Sequence, residues 1–337
     1  MCYRDTKCRV RIGGELSESF EVKGGLKQGC PLSTILFSLA LEWVMRQTPS
    51  PMSPIRLGET TFDRFAYADD VDFCAQDLAS LEEPVEEFKR ASQRIGLKIN
   101  ESKTKVMKAA RAGGVTGNIN ISGMTLEGTT EFKYLGSTVT SNNMVEEEVK
   151  LRIAAGSRCA WAMKSILSSS MISRTTKLQT YTVVIRPIVI YGAETWALTK
   201  KLQQRLLAFE NSILRKIYGP VFDEDEQVWR RRHNQELRDL SGLPFITNII
   251  RSMRVRWAGH VARMGEDRTV KLVAQGIPAG RRPRGRPRRR WRDNVKADLA
   301  ALGVEDPDSW WAMAEDRNTW KRLVKAAKDH HDLGPVE

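Results

Sequence analysis

The spacing of apolar residues divides the chain into a mixed first part and a helical second part. Up to about residue 140, short apolar runs alternate with turn residues, which predicts strands. Two longer stretches have helical spacing, one that begins at Pro31 and one over 81–95. Beyond Met144 the spacing stays helical, except in 276–290, where Gly, Pro and Arg residues exclude a stable helix.

The individual elements follow from the same pattern. Strands are predicted at 8–12, 19–22, 97–99, 105–107, 119–121 and 132–135. Helices are predicted in the second part at 144–167, 174–190, 199–217, 226–240, 245–263 and within 291–330. The last region contains four tryptophans, which are more typical of a packed core than of base stacking; these are Trp291, Trp310, Trp311 and Trp320.

Two adjacent carboxylates, Asp69 and Asp70, lie between two short apolar stretches. The pattern predicts a strand, a tight turn and a second strand, with both aspartates at the tip. Adjacent anions repel each other, and a divalent cation reverses that cost, since Mg²⁺ is usually held by one or two carboxylates together with substrate phosphates. The alternative is an ordinary turn, because aspartate is common in turns.

Charge is distributed unevenly along the 337 residues. Residues 1–150 contain 19 Lys and Arg against 21 Asp and Glu, whereas 151–337 contain 35 against 20. A basic block beside a neutral one predicts that the second part contacts a polyanion, most often nucleic acid. The five cysteines are scattered without metal-ligand spacing, which argues against a zinc finger or a disulfide scaffold. We therefore expect an intracellular protein, nuclear or cytoplasmic, with no membrane partner.

Four motifs stand in order along the first part of the chain: a loop that enters a helix, the aspartate hairpin, a glycine followed by a polar turn, and a strand that ends in glycine. They read Gly25-Leu26-Lys27-Gln28-Gly29-Cys30-Pro31-Leu32-Ser33, Phe65-Ala66-Tyr67-Ala68-Asp69-Asp70, Gly96-Leu97-Lys98-Ile99-Asn100 with Lys103-Thr104, and Phe132-Lys133-Tyr134-Leu135-Gly136. This ordered set resembles reverse transcriptases. The second part, at 256–264 and 280–287, resembles the region after the polymerase in non-LTR retroelement proteins.

The resemblance implies an α+β fold, in which a partial polymerase palm is followed by an all-α thumb and a C-terminal helical region. The palm would be an antiparallel sheet with packed helices. The implied segments are a palm, a thumb-like region, a helical region, a basic linker and a last helical segment, at 1–140, 141–220, 221–275, 276–292 and 293–337. The implied activity is RNA-directed DNA synthesis with two Mg²⁺ ions, on an RNA template and a DNA primer.

The resemblance also assigns roles to single residues. Asp69 and Asp70 would be catalytic metal ligands, with Asp69 the more direct one. Gln28, Gly29 and Tyr67 would border the incoming nucleotide and the template. Residues that would hold the primer end, or else form an ordinary strand end, are Tyr134, Leu135 and Gly136.

Lys103 has two possible roles. In the family, a lysine at this place would balance charge on the triphosphate or donate a proton to pyrophosphate. The alternative is an exposed loop lysine, since most lysines are exposed.

The active site of the family uses another aspartate, from a strand upstream of the first hairpin. Asp5 lies in a polar stretch without strand character and is a poor substitute. We therefore expect an N-terminally truncated chain whose two-metal site is incomplete. The alternative is a decayed or repurposed protein that binds nucleic acid without catalysis.

Residues 281–292 contain eight arginines among prolines and glycines. The core of this segment resembles an AT-hook, in which arginines enter a narrow minor groove of chromosomal DNA. The alternative is a basic linker that binds phosphates without sequence preference. The candidate nucleic-acid-binding residues are Arg281, Arg282, Arg284, Arg286, Arg288, Arg289 and Arg290.

Overall fold

The computed structural model describes residues 6–22, 24–110, 114–277 and 289–329. Half of the structure is helical and 16% is strand, which confirms the mixed fold class. None of the helices in these ranges is long and apolar enough to cross a membrane. The chain forms two units, one of Met1–Lys105 with Asn118–Glu127 and one of Val106–Gly117 with Gly128–Glu337. The five segments expected from the resemblance stay predictions.

The strands are short, and helices make up half of the structure. In chain order the strands are β1 (Lys7–Cys8), β2 (Arg11–Ile12), β3 (Glu15–Leu16), β4 (Phe20–Glu21), β5 (Ile55–Leu57), β6 (Thr60–Phe62), β7 (Arg64–Tyr67), β8 (Asp70–Phe73), β9 (Lys105–Val106), β10 (Gly117–Ile121), β11 (Met124–Gly128), β12 (Glu131–Tyr134), β13 (Ser137–Thr140), β14 (Val221–Asp223) and β15 (Val228–Arg230). The helices are α1 (Pro31–Gln47), α2 (Glu82–Arg94), α3 (Glu146–Ala162), α4 (Lys164–Ser168), α5 (Arg174–Thr180), α6 (Arg186–Val189), α7 (Lys200–Tyr218), α8 (Asn234–Ser241), α9 (Ile246–Ala262), α10 (Thr269–Gln275), α11 (Trp291–Ala301), α12 (Trp310–Met313) and α13 (Arg317–Asp329).

Most of the strands form small antiparallel pairs. The pairs are β1 with β4, β2 with β3, β5 with β6, β7 with β8, β12 with β13 and β14 with β15. A three-stranded sheet has the order β10–β11–β9. The strand expected at 97–99 is absent from the described structure, because the amide of Leu97 donates to the carbonyl of Ser92 and so closes the end of α2. Gly96, with a φ of +77°, makes this closure possible.

The first unit has its core between two helices and the strands beside them. Pro31 stands at the first position of α1, as predicted, where its missing N–H costs nothing. Val44 of α1 is fully buried, and Ala91 of α2 is nearly so. The guanidinium of Arg94 lies 5.2 Å from the centroid of the Trp43 ring, which adds a cation–π contact between the two helices.

The second unit contains a helical core built by α3 to α9. Apolar side chains that are nearly or fully buried here include Val149, Tyr181, Ile185, Leu206, Ile213, Leu214 and Leu237. The predicted helix at 174–190 is present, with a π-helical turn over Tyr181–Ile185 between α5 and α6. The helix predicted at 226–240 was placed too early, since it begins at Asn234. The preceding residues form the hairpin of β14 and β15, which is held by an Arg230–Asp223 ion pair of 2.7 Å.

A second apolar cluster packs α9 against α11, α12 and α13. Trp310 is fully buried and Trp320 is 2% exposed, which confirms that these tryptophans belong to a core. The indole N–H of Trp320 donates to the backbone carbonyl of Val255, at 2.8 Å. Gly259 lies directly beneath this indole, and a Cβ atom there would overlap it. Packing against Trp320 therefore requires a glycine at position 259.

Gly259→Ala is expected to lower the free energy of unfolding by about 1–3 kcal/mol, because the added methyl displaces the Trp320 indole. Helix propensity alone predicts the opposite effect, an increase of about 1 kcal/mol in the free energy of unfolding, because alanine is a better helix former than glycine. Urea unfolding followed by circular dichroism measures the difference. The control is Arg256→Ala on the same helix, an exposed position where we expect a change within about 0.5 kcal/mol. A stabilised Gly259→Ala variant would contradict the packing argument.

Candidate functional site

The aspartate pair lies in a two-residue hairpin turn. In the pairing of β7 with β8, Tyr67 stands opposite Asp70, so that Ala68 and Asp69 form the turn. Asp69 is at the tip as predicted, whereas Asp70 is the first residue of the returning strand. Ala68 has a φ of +53°, a left-handed conformation that costs a residue with a Cβ about 1–2 kcal/mol. The strain lies directly beside the two carboxylates.

A single arginine attaches the base of this hairpin to the end of α1. Nη1 of Arg64 donates to the carbonyls of Met45 and Thr48, at 3.0 and 2.9 Å, and Nη2 donates to the carbonyl of Pro49, at 2.9 Å. The last carbonyls of a helix have no partners within the helix, and a cation there is also favoured by the helix dipole. The hairpin therefore has a defined attachment to the helix.

Asp63 completes this attachment. Its carboxylate accepts from Nη2 of Arg64, at 2.9 Å, and from the hydroxyl of Ser50, at 2.6 Å. Partial burial raises the pKa of Asp63, but the hydrogen bonds from Arg64 and Ser50 outweigh it and hold the pKa below its ordinary value. The carboxylate thus stays ionised and keeps the arginine oriented at neutral pH.

The two site carboxylates are exposed to solvent. Asp69 and Asp70 are both exposed, and the side chain of Tyr67 beside them is 64% exposed. Oxygen ligands of this kind suit Mg²⁺. Cys74 at the end of the hairpin does not add a thiolate, because burial and then the charges of Asp72 and Asp63 raise its pKa to about 11. Within the described ranges, no group of three or more His, Cys, Asp or Glu side chains could hold a metal ion.

The predicted nucleotide-binding residues Gln28 and Gly29 lie in the loop that enters α1. Both are exposed, and Gly29 has a φ of +84°, which favours glycine. The hydroxyl of Ser33 donates to the carbonyl of Lys27, at 2.6 Å, and ties the loop to the first turn of the helix. That first turn contains no acidic residue.

Lys103 lies in a compact turn that begins at Asn100. The amide of Lys103 donates to the backbone carbonyl of Asn100, at 3.1 Å, and the hydroxyl of Ser102 donates to the Asn100 side chain, at 2.8 Å. The lysine side chain is exposed. In the part of the chain that the structure describes, no hydrogen bond or ion pair joins Asp69 or Asp70 to this lysine or to the loop before α1.

The strand-end motif forms the turn between β12 and β13. Leu135 and Gly136 both have positive φ, at +46° and +84°, which is typical of a tight hairpin turn. Tyr134 is the last residue of β12 and is partly buried. The hydroxyl of Tyr191 donates to the carbonyl of Leu135, at 2.9 Å, and Arg152 donates to the carbonyl of Gly136.

Glu148 joins this turn to α3. Its carboxylate accepts from the amide of Thr138, at 2.7 Å, and from Nε of Arg152, at 2.6 Å. The Arg152 guanidinium also lies 4.5 Å from the centroid of the Tyr191 ring. Sequence reasoning missed this clamp. The sequence does place Glu148 and Arg152 four residues apart, on one helix face. This spacing is typical of any ion pair within a helix, so it did not indicate a contact with the turn.

Residues 2–139 match the family model described as reverse transcriptase (RNA-dependent DNA polymerase). This segment belongs to the reverse transcriptase family. The matched residues include the loop before α1, the aspartate hairpin, the Asn100 turn and the strand-end turn. The resemblance drawn from the four motifs is thereby confirmed.

The relatives of this chain are transposon proteins. A putative uncharacterized transposon-derived protein of Caenorhabditis elegans is 24% identical over 279 residues, which are 80% of this chain and 98% of the relative. The uncharacterized 149 kDa protein of transposon TX1 from Xenopus laevis is 35% identical over 104 residues, or 30% of this chain and 8% of that protein. The retrovirus-related Pol polyprotein of the type-2 retrotransposable element R2DM of Drosophila melanogaster is 29% identical over 143 residues, or 39% of this chain and 13% of the polyprotein.

These matches are consistent with a non-LTR retrotransposon reverse transcriptase. Nucleic acid is accordingly the general substrate class of the family. The chain spans a small part of the TX1 protein and of the R2DM polyprotein, and nearly the whole of the worm relative.

Most of the predicted arginine cluster lies outside the described residues, namely Arg281, Arg282, Arg284, Arg286 and Arg288. Arg289 is exposed, and Arg290 directly precedes α11. The amide of Arg290 donates to the carboxylate of Asp293, at 2.9 Å, and so caps the first turn of that helix. Binding of DNA by the cluster stays a prediction.

Proposed function

We propose that this chain supplies two metal-binding carboxylates, Asp69 and Asp70, to an RNA-directed DNA polymerase that acts by two-metal phosphoryl transfer. The observation that carries the proposal is the hairpin turn, which presents both carboxylates to solvent from a strained and anchored position. Arg64 holds the base of that hairpin against α1. A geometry fixed before the substrate arrives lowers the cost of aligning the reacting oxygens.

The chemistry of the donor set fits Mg²⁺. When bound, Mg²⁺ would stabilise the attacking and leaving oxygens of the transfer to the primer end. Asp69 and Asp70 offer hard anionic oxygens, and one or two carboxylates together with substrate phosphates are the usual protein site for this ion. A further carboxylate, as in the family motif upstream of the first hairpin, would complete the set.

The other predicted residues would position the substrates. Gln28 and Gly29 lie where a glycine turn lets a nucleotide approach the backbone closely. Lys103, exposed on its turn, would balance charge on the triphosphate. Tyr134 and the clamped turn after it would hold the primer end, since Arg152 and Tyr191 restrict its movement.

A second candidate is a nucleic-acid-binding protein without catalysis. It is favoured by the observation that the described residues gather no more than two metal-binding side chains at any one place. The basic second part of the chain would then supply the whole function, through contacts to phosphates.

Primer extension on an RNA template with Mg²⁺ separates the two candidates. If the chain acts as a polymerase, Asp69→Asn should lower the rate of nucleotide addition about a hundredfold or more. The variant would lose a metal ligand and with it several kcal/mol of transition-state stabilisation. The matched control is Asp225→Asn, an exposed aspartate in the turn between β14 and β15. Binding of the primer–template without any nucleotide addition would contradict the polymerase and support the binding protein.

A further inference from the structure

A basic pocket of about 380 Å³ lies at the C-terminal end of α7. Four of its lining residues are cations, namely Arg215, Lys216, Arg231 and Arg232, and the other lining residues are uncharged. The first two come from the last turn of the helix, and the last two come from the segment between β15 and α8. Two separate parts of the second unit therefore bring positive charge to one cavity.

The cations of this pocket have no acidic partners among the described residues. The neighbouring Arg230 shows the contrast, since it pairs with both Asp223 and Glu236, at 2.7 Å each. Asp223 and Glu236 are thus occupied by Arg230. Nε of Arg232 is buried and has no hydrogen-bond partner in the described structure. A buried donor without a partner is costly, and a bound acceptor would satisfy it.

Arg215 holds the two parts of the pocket together. Its Nε donates to the carbonyl of Arg232, at 3.1 Å, and its Nη2 donates to the side-chain oxygen of Asn234, at 2.8 Å. Burial, followed by the charge of Arg231, lowers the pKa of Arg215. The repulsion among these cations is present before any ligand binds, and an anion in the pocket would relieve it.

The helix dipole explains two of the four cations in the pocket and not the other two. Arg215 and Lys216 lie in the last turn of α7, where cations are favoured by about 0.3–1 kcal/mol. Arg231 and Arg232 belong to no helix, and Arg231 is exposed. Their convergence on the same cavity points to a ligand.

The hairpin that leads into the pocket indicates what the anion belongs to. The rings of Phe222 and Trp229 pack edge to face across β14 and β15, with centroids 5.5 Å apart. Trp229 is 69% exposed, and it lies two residues before Arg231. Exposed aromatic rings beside cations are typical of surfaces that stack bases and hold phosphates. A free phosphate ion would gain nothing from the rings.

We propose that the pocket formed by Arg215, Lys216, Arg231 and Arg232 binds a backbone phosphate of a nucleic acid strand. The inference deepens the proposed function, on whose nucleic-acid partner it rests, by naming a binding site in the second unit. Lys216, Arg231 and Arg232 contact the phosphate oxygens. Arg215 positions them.

Binding of a fluorescently labelled single-stranded RNA to the full chain, measured over a range of salt concentrations, tests the pocket. The variant Lys216→Gln with Arg231→Gln changes two exposed side chains, so that the fold is kept. Its plot of log affinity against log salt should become shallower by about one unit. At 0.1 M salt, affinity should fall about tenfold for each phosphate that the variant no longer neutralises.

The control removes the same charge elsewhere. Lys325→Gln with Lys328→Gln alters two exposed lysines of α13, and its salt slope should match that of the wild type. Equal slopes for the two variants would overturn the proposal. Inorganic phosphate should displace the RNA more effectively than chloride at equal ionic strength, but only when the pocket is intact. Displacement that is the same in both variants would also overturn it.

These results do not depend on nucleotide addition. A chain that fails in primer extension but shows the pocket-dependent slope would contradict the polymerase and leave the phosphate site standing.

Discussion

Arg238→Met should lower the free energy of unfolding by about 3–5 kcal/mol, because it leaves a buried carboxylate without its charge partner. Nη2 of Arg238 lies 2.7 Å from Oε2 of Glu210, and the Glu210 side chain is completely buried. The same carboxylate accepts from the hydroxyl of Tyr181, at 2.8 Å, and from the amide of Ile246, at 3.0 Å. Three helical segments therefore depend on one buried carboxyl group.

The protonation state of Tyr181 supports this interpretation of the contacts around Glu210. Burial, and then the charge of Glu210, raise the pKa of Tyr181, so that its hydroxyl remains neutral and can donate. Without Arg238, Glu210 must either stay charged in an apolar core or take up a proton. Both outcomes are unfavourable at neutral pH.

Urea unfolding followed by circular dichroism measures the loss. The surface control is Arg46→Met, which breaks the exposed pair of Arg46 with Glu42 and should change stability by less than about 0.5 kcal/mol. The double variant Glu210→Gln with Arg238→Met removes both charges and should recover much of the loss, since replacing a whole buried pair is often nearly neutral. Equal destabilisation by the single and double variants would contradict a buried-charge mechanism.

Asp69→Asn combined with Asp70→Asn should weaken the binding of Mn²⁺ with a deoxynucleoside triphosphate by about a hundredfold or more. Mn²⁺ takes the same oxygen ligands as Mg²⁺ and reports its immobilisation by electron paramagnetic resonance. Substitution of a residue that only supports a metal ligand typically lowers metal affinity 10–100-fold. The loss of two ligands should lower it at least as much.

The matched control removes two charges from another hairpin turn. Asp225→Asn with Glu226→Gln alters exposed acids between β14 and β15 and should leave Mn²⁺ binding unchanged. Binding in the double aspartate variant that equals binding in the wild type would exclude the hairpin as a metal site. Equal losses in both variants would show that net charge, and not the site, attracts the ion.

Local signals were sufficient wherever an element is decided by neighbouring residues. Pro31 correctly marked the start of α1, and Gly96 correctly marked the end of α2. The aspartate turn was placed within one residue, because β7 and β8 pair directly across it. The hairpin of β14 and β15 was missed, since 226–240 also has helical spacing. The Arg230 side chain, paired with Asp223 before it and Glu236 after it, favours the hairpin.

The sequence by itself determined the family, the order of its motifs and the aspartate pair, because short motifs and hairpins depend on residues close together in the chain. Only the tertiary structure decided which contacts hold these parts in place. The Arg64 anchor, the clamp of Arg152 and Tyr191, the Glu210–Arg238 pair and the basic pocket each join segments that are separated along the chain. Charged residues in such places look like ordinary surface residues in a sequence, since burial and partner distance depend on how distant segments pack.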